Sequence, residues 1–406
     1  MLKGKHILLG VSGGIAAYKS AELVRLFIKE GCSVKVVMTR HATEFITPLT
    51  LQTLSGNPVF MEMFSLIRDH DIAHIALAQE ADIVVVAPAT ANIIGKLAAG
   101  LADNLLTTVV LATKAPILIC PAMNTNMYEN PVVCENMQKL AARGCRIMDA
   151  AAGELACKTE GSGRLPELHD ILEEVQSMLT EKDLAGMNVV VTAGPTREPF
   201  DPVRFITNYS SGKMGYALAM AAGRRGADVT LISGPSALPT PSGVDFIPVS
   251  SAVEMREAVM KHFKAADVII KAAAVADFRP SIRADAKIKK KGGPLALHLE
   301  RNPDILAELG KMKEGRILIG FAMESEDLVE NAKAKLMKKN LDLIVANDVK
   351  QSGAGFQTDT NIVKILDRAG GIEELPLMDK MDVAGRILDR AKRLFKKNDK
   401  ADHAKK

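Results

Sequence analysis

The chain has 406 residues, which at roughly 100–200 residues per domain makes two or three domains. Hydrophobic residues at 48% and charged residues at 25% match ordinary globular composition, so wholesale disorder is excluded. The formal net charge is +4, but residues 391–406 gather seven Lys and Arg against Asp399 and Asp402, leaving a nearly neutral body and no call for a nucleic-acid partner.

Taken in chain order, Ile7–Val11 reads as a short apolar strand, Ser12-Gly13-Gly14 as a turn, and Ile15–Glu30 as an amphipathic helix stopped by Gly31. Val34–Met38 is the next strand. Ile83–Pro88 and Ile117–Pro121 are continuous apolar strands, the pattern of a parallel sheet covered on both faces. The helical pattern ends in a short polar stretch at 178–188, and the same pattern then restarts. Asn188–Thr192 is a strand, Ala193–Thr196 a loop, Gly212–Arg225 a helix and Val229–Ile232 a strand. Further strands are expected at Val268–Lys271, Ile317–Gly320 and Leu343–Ala346, with Ile362–Leu366 as an edge strand. A last helix is expected at about Asp382–Lys396, followed by a frayed basic tail at about 394–406. The Lys- and Gly-rich stretch 281–297 is too polar for a core and reads as a mobile flap. The expected fold is α/β: an N-terminal flavodoxin-like, doubly wound domain over 1–186, then a second Rossmann-like α/β domain over 187–406.

Five cysteines (Cys32, Cys120, Cys134, Cys145, Cys157), none in a CxxC, give neither a disulfide framework nor zinc spacing, and suit a reducing cytoplasm. No apolar run reaches the ~18 residues of a membrane span. The run Ile7–Ala17 after Lys3 and Lys5 could mimic a signal peptide, but Gly10, Gly13 and Gly14 break it.

Ligands of open α/β sheets sit at the carboxyl ends of the strands. Ser12-Gly13-Gly14, Thr39, Pro88-Ala89-Thr90 and Pro121–Asn124 all fall at such ends. Gly13-Gly14 opens a helix, where free N–H groups hold a phosphate or simply turn the chain. Together, Gly13–Lys19, Ala87–Asn92, Pro121-Ala-Met-Asn124-x-x-Met127 and Cys157 resemble the flavin-dependent cysteine decarboxylases. That resemblance implies a homo-oligomer binding FMN through Ser12, Gly13, Gly14, Thr39, Pro88, Ala89 and Thr90, with His74, Asn124 and Cys157 carrying the reaction. On their own, His74 fits a helix surface, Asn124 a turn and Cys157 a small buried residue. The polar, Gly-rich setting of Cys157, from Gly153 to Arg164, reads as a lid.

In the second half, Asn208-Tyr-Ser210-Ser211-Gly212-Lys213 places small polar residues ahead of a helix, an anion-binding pattern without the spacing of a P-loop. Lys271–Asp277 ends a strand with an acidic residue where a base, ribose or Mg²⁺ could be met. Lys287–Lys291 is a charge run that solvent alone would explain. With Asn302-Pro303-Asp304-Ile305, Gly320–Glu324 and Lys335–Asp348, these motifs resemble phosphopantothenate–cysteine ligases. Both halves in one chain resemble the bacterial bifunctional coenzyme A biosynthesis proteins over about residues 4–395. The resemblance implies a cytoplasmic enzyme using CTP and Mg²⁺ (or Mn²⁺), with no membrane or nucleic-acid partner. CTP contacts are implied at Lys271, Ala272, Ala273, Asp277, Lys287, Asn302, Pro303, Asp304, Ile305, Phe321, Lys335 and Lys339. Asp277 is the implied metal ligand, and Asn208 and Lys287 the implied catalytic residues. Two rival readings stand beside it. A two-domain NAD(P)-dependent oxidoreductase calls for a GxGxxG fingerprint that the sequence lacks; a flavoprotein electron carrier has no use for a second nucleotide-binding half.

Overall fold

The computed structural model describes residues 2–64, 73–155, 160–289, 295–324, 327–348, 355 and 357–403. It divides into two compact units, Met1–Thr180 and Glu181–Lys406.

The first unit is built on strands β1 (His6–Val11), β2 (Ser33–Met38), β3 (Val59–Phe60), β4 (Ile83–Ala89), β5 (Ile117–Pro121) and β6 (Arg146–Ile147). They form one sheet in the order β3-β2-β1-β4-β5-β6, every pair parallel. Setting aside the two-residue edge strand β3, the order is that of flavodoxin-like sheets, with the switch point between β1 and β4. Helices α1 (Ser20–Lys29), α2 (Pro48–Ser55), α3 (Ala73–Glu80), α4 (Ala91–Ala99), α5 (Leu105–Ala112), α6 (Thr125–Tyr128), α7 (Pro131–Ala142) and α8 (Leu168–Leu179) connect and follow the strands. Alternation along β1 sends Leu9 and Val11 to one face, against Leu23 and Phe27 of α1 and Val175 of α8, and Leu8 to the other, against Ile94 and Leu106. All of β4 is buried, which is why its sequence is continuously apolar.

The expected helix from Ile15 begins instead as a 3-10 turn over Ile15–Lys19, and α1 starts at Ser20. The Ser20 hydroxyl donates to the Ala87 carbonyl at 2.9 Å, tying the helix start to β4. After β6, strands β7 (Ala151–Glu154) and β8 (Glu160–Arg164) form an antiparallel hairpin. Cys157 falls between them, outside the described residues.

The second unit carries an eight-stranded sheet of β9 (Asn188–Ala193), β12 (Asp228–Ser233), β13 (Asp245–Pro248), β14 (Val268–Lys271), β17 (Ile317–Glu324), β18 (Leu343–Asp348), β19 (Thr360–Asp367) and β20 (Ile372–Asp379). Its order is β13-β12-β9-β14-β17-β18-β19-β20, parallel through β18 and then antiparallel. Between these lie the short pairs β10 (Glu198–Pro199) with β11 (Phe205–Ile206), and β15 (Phe278–Pro280) with β16 (Leu299–Arg301). Helices α9 (Lys213–Arg224), α10 (Ala252–Phe263), α11 (Ile305–Lys311), α12 (Leu328–Lys338) and α13 (Lys380–His403) complete the unit.

Three expectations change. The strand at Ile362–Leu366 is not the edge; β20 covers it. The β19–β20 turn is held by the Asp367 carboxylate, which accepts from Ala369 N and Gly371 N at 2.9 Å each. The basic end is not frayed from 394, because α13 continues to His403. The 281–297 stretch is not loose throughout. Ala284 N donates to Phe200 O, Ile288 N donates to Asp201, and Arg204 donates to Ile288 O at 3.1 Å. Asp201 is fully buried, and the Arg204 guanidinium together with backbone N–H donors holds its carboxyl well below the usual range.

The division at Thr180/Glu181 also precedes the 186/187 expected from sequence. Residues 181–187 pack into the second unit: Asp183 takes two bonds from Arg225 (2.8 and 2.7 Å) and one from Lys392 of α13. Leu184 and Met187 are buried in the same core.

Candidate active sites

In the first unit the carboxyl ends of β1, β2, β4 and β5 surround a cavity of about 1060 Å³. Ser12 stitches β1 to β4 there: its Oγ donates to Pro88 O at 2.8 Å and accepts from Thr90 N at 3.0 Å. Gly13 has no alternative, since a Cβ on it would lie 2.4 Å from the Cβ of His41 and 2.7 Å from its backbone carbon. Thr39 lines the cavity, and its hydroxyl is buried with no partner among the described residues. Asn124 lines it too. Its Oδ1 accepts from Asn126 N at 2.9 Å, which fixes the amide at the start of α6.

Ser12, Gly13, Gly14, Thr39, Thr90 and Asn124 are therefore brought together. Pro88 and Ala89 are not lining residues; Ala89 is buried in β4 and Pro88 contributes the carbonyl that orients Ser12. His74 stands half-buried at the start of α3, with Nδ1 shielded from solvent and unpaired among the described residues, and is not among the described lining residues. Lys96 and Arg164, which lie outside the motifs read from sequence, also line the cavity; Lys96 is paired with Asp103, another lining residue, at 2.5 Å. The cue for Arg164 was its place after Gly161-x-Gly163. A Cβ on Gly163 would meet the Met123 carbonyl at 2.2 Å, so the glycine lets β8 lie against the loop that carries Asn124. A glycine turn, a buried hydroxyl unpaired among the described residues, basic side chains in the lining and a largely apolar wall fit a phosphate-bearing flavin such as FMN.

In the second unit a cavity of about 450 Å³ opens at the carboxyl ends of β14 and β17. Lys271, the last residue of β14, forms its floor and is only 9% exposed. Burial first, then the charges of Lys339 and Lys335, push its ammonium down to about 8, while Asp304 works the other way. Asp304 caps α11 by accepting from Ala307 N at 3.1 Å, and it pairs with Lys339 at 2.9 Å. Burial opposes its charged form, but the Lys339 and Ala307 bonds outweigh that and hold its carboxyl below the ordinary value. Lys335 donates to Phe321 O at 3.3 Å. Asn302 donates from Nδ2 to Ala276 O and from its backbone to Asp277 O, both at 2.9 Å, leaving its buried Oδ1 unpartnered.

Lys271, Ala273, Asp277, Asn302, Pro303, Asp304, Ile305, Phe321, Lys335 and Lys339 thus share one cavity, and Phe278 and Arg301, not anticipated from sequence, join them. Ala272 does not, because strand alternation turns it into the core on the opposite face. Asn208 is not a lining residue either. Its Nδ2 donates to Ala274 O at 2.7 Å and its Oδ1 accepts from Ser210 N, bracing the loop beside Ala273. Lys287 is exposed and outside the described lining. Among the described residues no three acidic, His or Cys side chains cluster as a metal site. Asp277 alone fits Mg²⁺, which commonly takes one or two carboxylates together with substrate phosphates. No helix among the described residues is long and apolar enough to cross a membrane.

Comparison with known proteins covers both units. Residues 1–180 match the family described as "Flavoprotein", and residues 184–394 the family described as "DNA/pantothenate metabolism flavoprotein C-terminal domain". The Coenzyme A biosynthesis bifunctional protein CoaBC of Bacillus subtilis is 50% identical over 98% of each chain. Its Escherichia coli K12 counterpart is 45% identical over 95% of this chain and 96% of its own. The solved C-terminal domain of a protein of that name is 44% identical, covering 53% of this chain and 100% of its own, at a TM-score of 0.47.

Proposed function

From its membership of the family of bifunctional coenzyme A biosynthesis proteins, to which the chain belongs, we propose that it performs two consecutive steps of coenzyme A formation, one in each unit. The second unit ligates cysteine to 4′-phosphopantothenate with CTP; the first decarboxylates the product to 4′-phosphopantetheine. What supports the reading is that each sheet holds its own cavity at its strand ends, one largely apolar with a glycine turn and a buried hydroxyl unpaired among the described residues, the other polar with three lysines around an acidic cap. The oxidoreductase and electron-carrier readings are not favoured by the family. We place the enzyme in the cytoplasm as a homo-oligomer.

In the ligase step the pantothenate carboxylate attacks the α-phosphate of CTP, forming an acyl-cytidylate and releasing pyrophosphate. The cysteine amine then attacks the acyl carbon, the C–N bond forms and CMP leaves. Lysines of the cavity offset the charge that builds on the phosphates, and Mg²⁺ held by Asp277 shares that task. Asn208 orients the activated acyl group. Lys287 meets the leaving pyrophosphate or CMP.

In the decarboxylase step, bound FMN supplies reversible two-electron oxidation and reduction. Ser12, Gly13, Gly14, Thr39 and Thr90 hold it, with Pro88 and Ala89 as support. Asn124 holds the substrate carboxylate, and His74 takes the thiol proton as the thiol is oxidised by two electrons to a thioaldehyde, so that loss of CO₂ leaves an enethiolate. Cys157 protonates the carbon of that enethiolate, and return of the two electrons with two protons reduces the resulting thioaldehyde to the thiol of 4′-phosphopantetheine.

The purified chain should be yellow, absorbing near ~450 nm, the flavin band. Given 4′-phosphopantothenate, cysteine, CTP and Mg²⁺, it should release pyrophosphate and CO₂ in equal amounts. Cys157→Ser, with a far weaker acid, should still release CO₂ while the reduced thiol product, 4′-phosphopantetheine, fails to form. Normal product from that variant removes Cys157 from the mechanism.

A further inference from the structure

Outside the cavities, one buried carboxylate of the second unit holds more than its own turn requires. The turn Asp201–Arg204 follows β10, and Asp201 Oδ1 closes it by accepting from Val203 N at 2.9 Å and Arg204 N at 2.7 Å. One oxygen suffices for that, and Asn or Ser would serve. The other oxygen, Oδ2, takes three donors: Arg204 Nε at 3.0 Å, Arg204 Nη2 at 2.6 Å and Ile288 N at 3.2 Å. Arg204 completes the grip, since its Nη2 also donates to Ile288 O at 3.1 Å. Both backbone polar groups of one residue, 87 positions beyond Asp201, are thereby held. The guanidinium lies over the Phe200 ring, 5.1 Å from its centre, and the Phe200 carbonyl accepts from Ala284 N at 3.0 Å.

These bonds tie residues 284 and 288 of a strap that leaves the ligase cavity through β15, whose first residue, Phe278, lines it. Between the two ties lie Asp285, Ala286 and Lys287, all exposed. Apolar burial does not fix the strap, for its Ile282 is 81% exposed. The polar ties do. A cation on an untied loop has to be ordered in every turnover; one flanked by fixed backbone has only its side chain left to arrange.

We propose that Asp201 is a positioning residue for the ligation step: through Arg204 and the backbone of Ile288 it fixes the strap that presents Lys287, and it touches neither nucleotide nor pantothenate itself. The inference rests on the ligase reading of the second unit and on the part given there to Lys287. The tie depends on the second carboxylate oxygen. An amide at this position still closes the turn with its oxygen, but its NH₂ then faces Arg204 and Ile288 N, donor against donor. The turn is kept and the strap is released. Asp201 is wholly enclosed, so no solvent replaces what the amide fails to hold.

The test uses the full chain with 4′-phosphopantothenate, cysteine, CTP and Mg²⁺, and follows pyrophosphate release by wild type, Asp201→Asn, Lys287→Gln and the double variant. Asp201→Asn is expected to lower kcat about 10-fold or more and to leave KM for CTP within a factor of about two. In the Lys287→Gln background the same substitution should cost nothing further, because residues that act as a unit are not additive. Tryptic cleavage of the native chain after Lys287 should run about 10-fold faster in Asp201→Asn than in wild type, as the local tie is lost. Should Asp201→Asn lower the unfolding temperature, Arg204→Lys replaces it. A lysine keeps a charge beside Asp201 but lacks the fork that spans Asp201 and Ile288 O, and the same pattern is expected. A loss of equal size with and without Lys287 overturns the proposal, since it marks a purely structural carboxylate. So does unchanged cleavage after Lys287, or a rise in kcat, which would mean that the ties park Lys287 away from the reaction. Lys287→Gln with wild-type kcat removes Lys287 from the mechanism, and this inference with it. Wild-type chain that releases no pyrophosphate overturns the ligase reading itself.

Discussion

Lys271 is a cation in an unfavourable place. Burial and two neighbouring lysines bring its ammonium down to about 8 from an ordinary 10.5, with Asp304 the one opposing charge. Below pH 8 it is protonated in both the folded and unfolded chain, and the full cost of burying the charge is present. Between about 8 and 10.5 the folded chain has released a proton that the unfolded chain keeps, so stability rises with pH across that window. Lys271→Met should therefore stabilise the second unit at pH 7 by roughly 3 kcal/mol, and the gain should shrink toward pH 10.5. Thermal unfolding at pH 7 and pH 10 checks this; a gain of the same size at both would mean that the buried charge is not its source.

Element by element, the first cavity depends on how closely β1, β2 and β4 approach at their carboxyl ends, and Gly13 is the narrowest point. Gly13→Ala would drive a methyl into the backbone of His41, separating the turn from the end of β2. The expected result is a chain that purifies without its yellow colour, is destabilised by about 1–3 kcal/mol, and still releases pyrophosphate at the wild-type rate, since the ligase cavity lies in the other unit. Flavin absorbance and the pyrophosphate assay on one preparation decide it. The parallel strands were legible in the sequence because burial on both faces writes an unbroken apolar run, as in Ile83–Val86. The strand β20 was not, because Glu373 and Glu374 on an exposed edge carry no such run; Glu374 is placed by Lys364 across the ladder. Likewise, Lys271 and Asp304 could be picked out by motif, but not their joint dependence on Lys339, thirty-five residues beyond Asp304. Ala272 was misplaced for a simpler reason: a motif is contiguous, whereas a strand sends its neighbours to opposite faces.

At the scale of the whole molecule, the second unit begins earlier than its sequence pattern suggests. A fragment of residues 181–406 should be more stable than one of 187–406 by about 2–5 kcal/mol, because the shorter one lacks the Asp183 carboxylate paired with Arg225 and the buried Leu184. Arg225 would be left with Asp389 as its carboxylate partner among the described residues. Thermal unfolding of the two fragments measures the difference; equal midpoints would mean that residues 181–186 are only a tether. Asp183 has a further consequence. It is gripped both by Arg225 and by Lys392 of α13, so the point where the chain enters this unit lies beside its closing helix. A unit whose entry is fastened to its last described helix is a cassette. It can be spliced after another enzyme, spliced before one, or circularly permuted through a surface loop, and the path of the chain through its core stays the same.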